Sequence, residues 1–247
     1  MNFFAQHRDL LNFPDLQNAD FEFHLSRLRP VIDMLASRDK MLSNWYLQGN
    51  SVKEALRYRV YGDDHQPLQQ AIDEFNKEYR GESQEDPKVI GMWNGAELDE
   101  DGATFLITID GGNVLSQKFD FDIYEKENGL SRLGDYRSVA QIIAKIVELY
   151  SSFYVMYCPR PYFEKQIFAD RPGVGWMLYL PHTLTSAEVP EAGDLIPVML
   201  NGKQQGTIIV SVTDSVFNLD NLEHIKNAND IEIRLADQHL LPRLFDL

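Results

Sequence analysis

A chain of 247 residues with 44% hydrophobic and 25% charged side chains has an ordinary globular composition, and it is long enough to bury a core without disulfide or metal staples. Its net charge of −15 argues against nucleic acid and anionic membranes as partners and favours a basic protein. A single cysteine, Cys158, excludes an internal disulfide and a multi-thiolate zinc site. Met1 to Arg8 lacks the pattern of a signal peptide, so a reducing, cytoplasmic setting is expected.

Pro30 suits the first turn of a helix continuing through Val31, Ile32 and Leu35. A second helical segment is predicted with Met41, Leu42, Trp45 and Tyr46 on its apolar side, and Gly49 reads as the residue just past its end. Ser51-Val52-Lys53-Glu54 fits a capping box. Pro67 opens the next helix, with Leu68, Ala71, Ile72, Phe75 and Tyr79 on one face. Then the period changes. Residues 89–98 and 103–110 read as strands, with Asp99-Glu100-Asp101-Gly102 as the hairpin tip between them. Gly111-Gly112 turns into a third strand over 114–124, where Phe119, Phe121 and Ile123 alternate with Asp120, Asp122 and Tyr124. Residues 138–150 have the spacing of an amphipathic helix.

The second half runs in a similar order. Strands are predicted over 174–180, 196–200 and 207–212, and a helix capped by Asn218 or Asp220 follows through Leu222 and Ile225. Beyond it Ile231, Ile233 and Leu235 alternate as a strand would. The expected class is α+β, a largely antiparallel or mixed sheet with helices packed on it, compatible with two similar βββα halves. One domain over residues 1–247 is expected, with lobes at 1–152 and 153–247.

Charge is concentrated in one stretch. Residues 82–127 hold 12 acids against 3 bases, −9 of the total, whereas residues 1–60 come to +1. Evenly spread, 15 charges would place about one on an interface half of roughly 800 Å²; the clustering makes local attraction of a basic partner plausible. The alternative is that the acidity serves only solubility.

Catalytic signatures are missing. No two of the six histidines sit four residues apart, and HExxH, GxSxG and a phosphate loop are all absent. Residues 97–102 imitate a calcium loop briefly, but Thr108 stands where a bidentate glutamate belongs. Asp120 and Asp122 share one sheet face by alternation, which explains the pair more simply than a metal site. Cys158, among Tyr154, Met156 and Tyr157, has the setting of an inert buried thiol. No cofactor, metal or catalytic residue is expected.

Several segments, in order, resemble the immunity protein 52 family of bacterial polymorphic toxin systems: Ser43-Asn44-Trp45-Tyr46-Leu47-Gln48-Gly49 leading to Glu54-Ala55-Leu56, Gly91-Met92-Trp93-Asn94-Gly95, Val174-Gly175-Trp176-Met177-Leu178-Tyr179-Leu180, Gly206-Thr207-Ile208-Ile209-Val210, and Phe217-Asn218. The likeness covers about residues 25–240; the family's tryptophan-proline-tryptophan cluster is replaced here by the tyrosines and phenylalanine of 150–159. The resemblance implies an inhibitor of a nuclease toxin with a restriction-endonuclease-like fold, delivered by a type VI or contact-dependent system. Asp99, Glu100, Asp101, Asp120 and Asp122 are then the candidate toxin-binding residues, and Trp45, Trp93 and Trp176 the motif tryptophans expected to pack the core. Two other classes compete: an adaptor or chaperone that loads an effector onto its secretion machine, and an uncharacterised hydrolase.

Overall fold

The structure, a computed structural model, describes residues 1–7, 20–49, 51–84, 86–109, 117–125 and 130–247. In chain order the elements are β1 (Asn2–His7), α1 (Phe21–Arg38), β2 (Tyr46–Leu47), α2 (Val52–Ala55), α3 (Gln69–Glu78), β3 (Lys88–Trp93), β4 (Ala103–Ile109), β5 (Gln117–Ile123) and α4 (Tyr136–Tyr150). Then follow β6 (Tyr154–Cys158), β7 (Met177–Leu180), β8 (Asp194–Leu200), β9 (Lys203–Val210) and α5 (Leu222–Asp237). The class is α+β, as expected, with nine strands and five α-helices among the described residues. The predicted turn at Gly111-Gly112 lies outside them.

Two compact units share the chain. The amino-half unit comprises Gln6–Glu125 and Leu149–Ser151; the carboxy-half unit comprises Met1–Ala5, Lys126–Glu148 and Ser152–Leu247.

In the amino-half unit β2, β3, β4 and β5 lie side by side, every pair antiparallel. Ile90, Met92, Phe105, Ile107, Phe119 and Phe121 form the inner face and are fully or almost fully buried. Trp45 completes this core, its ring 4.6 Å from Phe105 and its indole N–H donating to the Leu42 carbonyl at 3.0 Å. Phe21 of α1 stacks on Phe75 of α3, and Arg27 lies 4.3 Å over the Tyr150 ring while donating to the Leu149 carbonyl.

α1 corrects the expectation built on Pro30. The helix begins nine residues earlier, where Asp20 accepts from the Phe23 amide, and Pro30 sits inside it. An interior proline costs about 3 kcal/mol. Phe21, Leu25, Leu28, Val31, Ile32 and Leu35 are all buried along one stripe, at roughly 1.5–3 kcal/mol each, so the stripe outweighs the proline. The helix predicted around residues 41–46 is also corrected. A 3₁₀ turn at Lys40–Leu42 passes into β2, because the Val60 amide bonds to the Trp45 carbonyl and the Leu47 amide to the Tyr58 carbonyl. Those partners hold the segment extended, and Gly49 ends no helix. Ser51 does cap α2, accepting from the Glu54 amide.

In the carboxy-half unit the strand order is β1-β6-β7-β9-β8, antiparallel from β6 to β8. β1 and β6 are strands that the periodicity did not announce. Gly175 takes a left-handed φ of +52°, and a Cβ there would lie 2.3 Å from that of Cys158, so only glycine allows the bridge between Tyr157 and Gly175. Trp176 is buried with its N–H donating to the Val212 carbonyl at 2.8 Å. The end of α5, which the alternation at 231–235 left open, lies at Asp237, with Ala228, Ile231, Glu232 and Leu235 buried and Ile233 exposed, and its cap is Asn221 rather than Asn218 or Asp220.

Candidate partner-binding surface

The acidic turn between β3 and β4 is held by one buried side chain. β3 stops at Trp93, five residues short of the expected end, and the next residue, Asn94, is 5% exposed. Its amide nitrogen donates to the carbonyls of Met41 and Asp101, at 3.2 and 2.8 Å, and its oxygen accepts from the Ala103 amide at 2.9 Å. Asn94 therefore ties both ends of the connection between β3 and β4 to the 3₁₀ turn before β2. Within that connection Asp99–Asp101 form a 3₁₀ turn of their own instead of a plain hairpin tip. Asp99 and Glu100 are exposed, as are Glu97 and Leu98 beside them, and Asp101 is half-buried. The sequence marked Asn94 only as a member of a motif. Its role depends on a carbonyl at residue 41, which no local pattern reveals.

Asp120 and Asp122 lie on the outer face of the same sheet. The pairings Thr104↔Asp122 and Leu106↔Asp120 place them opposite exposed residues of β4, with Phe119, Phe121 and Ile123 on the buried side. This is the alternation predicted for β5. The Tyr124 amide bonds to the Gly102 carbonyl, which sets the end of β5 beside the acidic turn. Asp120 and Asp122 thus share the outer face of the sheet, and the turn that carries Asp99, Glu100 and Asp101 lies at the end of the same strand pair.

The three motif tryptophans occupy different places. Trp45 and Trp176 are core residues with satisfied indole N–H groups. Trp93 is half-buried on the outer face, because β3 alternates and Lys88, Ile90 and Met92 take its inner positions.

Two further clusters bear on catalysis. Ser215 lies 3.5 Å from Nε2 of His224 and donates to Asp214 at 3.2 Å, a superficial likeness to a hydrolytic triad. The backbone amide of Asn218 donates to Nδ1 of that histidine at 3.0 Å. An amide nitrogen cannot accept, so the neutral ring carries its proton on Nε2, facing Ser215. A general base needs a lone pair at that position. Asp214 and His224 also line an open, polar recess of about 460 Å³, with Ser211, Asn221, Glu223 and Lys226 among others, rather than a closed pocket.

The second cluster centres on Glu232, 1% exposed on α5. Its carboxylate accepts from the Tyr162 hydroxyl at 2.6 Å and from the Ile167 and Val174 amides at 2.8 and 2.9 Å. Burial pushes its pKa above the usual carboxylate range, a rise the three hydrogen bonds only partly offset. Burial and the neighbouring carboxylate likewise push up the Tyr162 phenol. The group fixes residues 162–174 against α5, a structural task. Among the described residues no three histidine, cysteine or carboxylate side chains gather as a metal site, and no helix is long and apolar enough to cross a membrane.

No family model matches the chain, and no curated protein matches it in sequence. Among solved structures it is similar to the Pseudomonas aeruginosa T6SS protein PA0821, with a TM-score of 0.50 at 10% identity, over 92% of this chain and 75% of that one. At that identity the likeness is one of fold.

Proposed function

We propose that this protein is an immunity protein, which binds a cognate nuclease toxin in the producing cell and neutralises it. The observation that carries the proposal is the acidic surface of the amino-half unit, where Asp99, Glu100 and Asp101 on an anchored turn adjoin Asp120 and Asp122 on the outer sheet face. A nuclease must offer DNA a basic cleft, and carboxylates on an anchored turn beside a strand complement such a cleft and compete with phosphate. The ordered segments that resemble immunity protein 52 support the same identification. So does the fold likeness to a protein of a type VI secretion system, a machine that delivers toxins against which its owner needs protection.

The test is co-expression with the nuclease toxin encoded beside this gene, scored by survival and chromosome integrity. Rescue by this protein alone is the expected result. A stable complex in which DNA is still degraded would identify an effector adaptor instead, and absence of any complex would reject both.

A further inference from the structure

The acidic face has an apolar centre. Strand pairing sets Tyr46, Trp93, Thr104 and Asp122 in one row across β2 to β5, and Gly91, Leu106 and Asp120 in the next. Side chains in such rows stand about 5 Å apart, so Trp93 is flanked by Tyr46 along its row and by Leu106 on the diagonal. Leu106 is 43% exposed, and Tyr46 and Trp93 are half-buried on the same face. Beside them Gly91 has no side chain of its own and Gln48 folds over it, so that a Cβ there would lie 2.8 Å from Oε1 of Gln48. Scattered exposed apolar residues are ordinary. A tryptophan, a tyrosine and a leucine made contiguous by register, on a face that also carries Asp120, Asp122 and Lys118, are the composition of an interface centre with a charged rim.

We propose that Trp93, with Tyr46 and Leu106, is the anchor of the toxin interface, and that the carboxylates around it steer a basic partner onto it. The assignment rests on the function proposed above and names the occupant as the basic DNA-binding face of the nuclease. Charge complementarity selects that occupant. Residues 82–127 carry −9, and Lys118 is the one basic residue in the outward positions of β3 to β5. Size agrees as well. Three strands at about 4.8 Å and seven residues at about 3.4 Å give a face of about 350 Å². That is under half of the roughly 800 Å² a stable complex covers on each partner, so the interface must run past the sheet onto the acidic turn. The two parts then act on different rates: charge on encounter, buried aromatic contact on residence.

The experiment measures association and dissociation of the full chain with catalytically inactivated toxin from the adjacent gene. Trp93→Ala should raise the dissociation rate at least tenfold and leave association within about twofold of wild type. Should Trp93→Ala melt markedly early, Thr104→Arg decides the matter, since it places bulk and a repelling charge in the middle of the row at an exposed position. It should abolish tight binding with the melting temperature kept. Tight wild-type binding combined with unchanged dissociation of a folded Trp93→Ala, or of Thr104→Arg, would overturn the anchor and leave the immunity function standing. Failure of the wild type to bind would overturn both.

Discussion

The two units use carboxylates in opposite ways. In the carboxy-half unit Glu232 points inward, where three donors meet it and its task ends within the fold. In the amino-half unit Asp99 and Glu100 stand in solvent on a turn whose position is fixed by a different residue, Asn94. A buried carboxylate surrounded by its own donors explains itself structurally. An exposed acidic group on a deliberately held turn does not, and that asymmetry directs attention to the amino-half unit as the surface of function.

Tryptophan truncation should separate core from surface with the largest effect. Trp45→Ala and Trp176→Ala should each cost about 3–5 kcal/mol, because each ring is enclosed and its N–H is bonded. For a chain of this length that is a fall in melting temperature of about 6–20 °C. Trp93→Ala should cost less than either, since its ring is half-buried on the outer face instead of enclosed and its indole N–H makes no hydrogen bond among the described residues that the truncation would remove. Equal losses at all three positions by thermal denaturation would mean that Trp93 is a core residue after all.

Next in size is Glu232. Glu232→Gln keeps the shape but turns an NH₂ group toward a donor that the carboxylate satisfied, at a cost of about 1–3 kcal/mol. The sign of its pH dependence follows from the raised pKa. The folded chain holds the Glu232 proton to higher pH than the unfolded chain, so the group's contribution is fully present below the ordinary carboxylate range and is lost as pH rises through the folded value. The stability difference between wild type and Glu232→Gln, from denaturant unfolding between about pH 4 and pH 7, should therefore shrink as pH rises. Growth of the difference would show that the hydrogen bonds outweigh burial.

Asn94→Ala has an intermediate effect of another kind. It leaves the Ala103 amide and two carbonyls without their partner, at about 1–3 kcal/mol, and it also frees the acidic turn. Amide exchange of residues 95–102 should accelerate in this variant more than that of β7 or β9. Uniform acceleration would deny Asn94 a positioning role.

Much of this was legible in the sequence, and the failures share a cause. β4, β5 and α4 carry clean two- or 3.6-residue periods with apolar residues on one side, and they appear close to where the pattern puts them. The end of α5 is not legible because its buried stripe includes Glu232, an acid whose donors come from residues 65 and 58 positions away. The 41–46 segment was misread because its backbone partners lie at 58–60. Long-range hydrogen bonds reverse a local preference without leaving a local trace. The acidic site divides the same way: composition located the carboxylates and alternation gave the face of Asp120 and Asp122, but the clamp by Asn94 and the outward turn of Trp93 needed tertiary structure.

The smallest effect on the fold should be the most informative for function. Replacing Asp99, Glu100 and Asp101 with Asn, Gln and Asn alters a turn whose first two residues are exposed, so stability should change by about 0.5 kcal/mol or less. The turn itself is retained, since Asn94 grips the backbone carbonyl of residue 101 rather than its side chain. What should change is the approach of a basic partner. Attraction between complementary charges acts mainly on encounter, so association with inactive toxin should slow by about tenfold at low salt while dissociation stays nearly constant. Wild-type association should fall steeply as salt rises, because screening at physiological ionic strength acts over about 8 Å. The neutral variant should lose most of that slope, and the two rates should converge at high salt. Truncation at Trp93 predicts the reverse, faster dissociation with the salt slope intact, so both variants measured over one salt series separate steering from anchoring. Matching salt slopes for wild type and neutral variant would remove the turn from the interface and leave its acidity as a contribution to solubility.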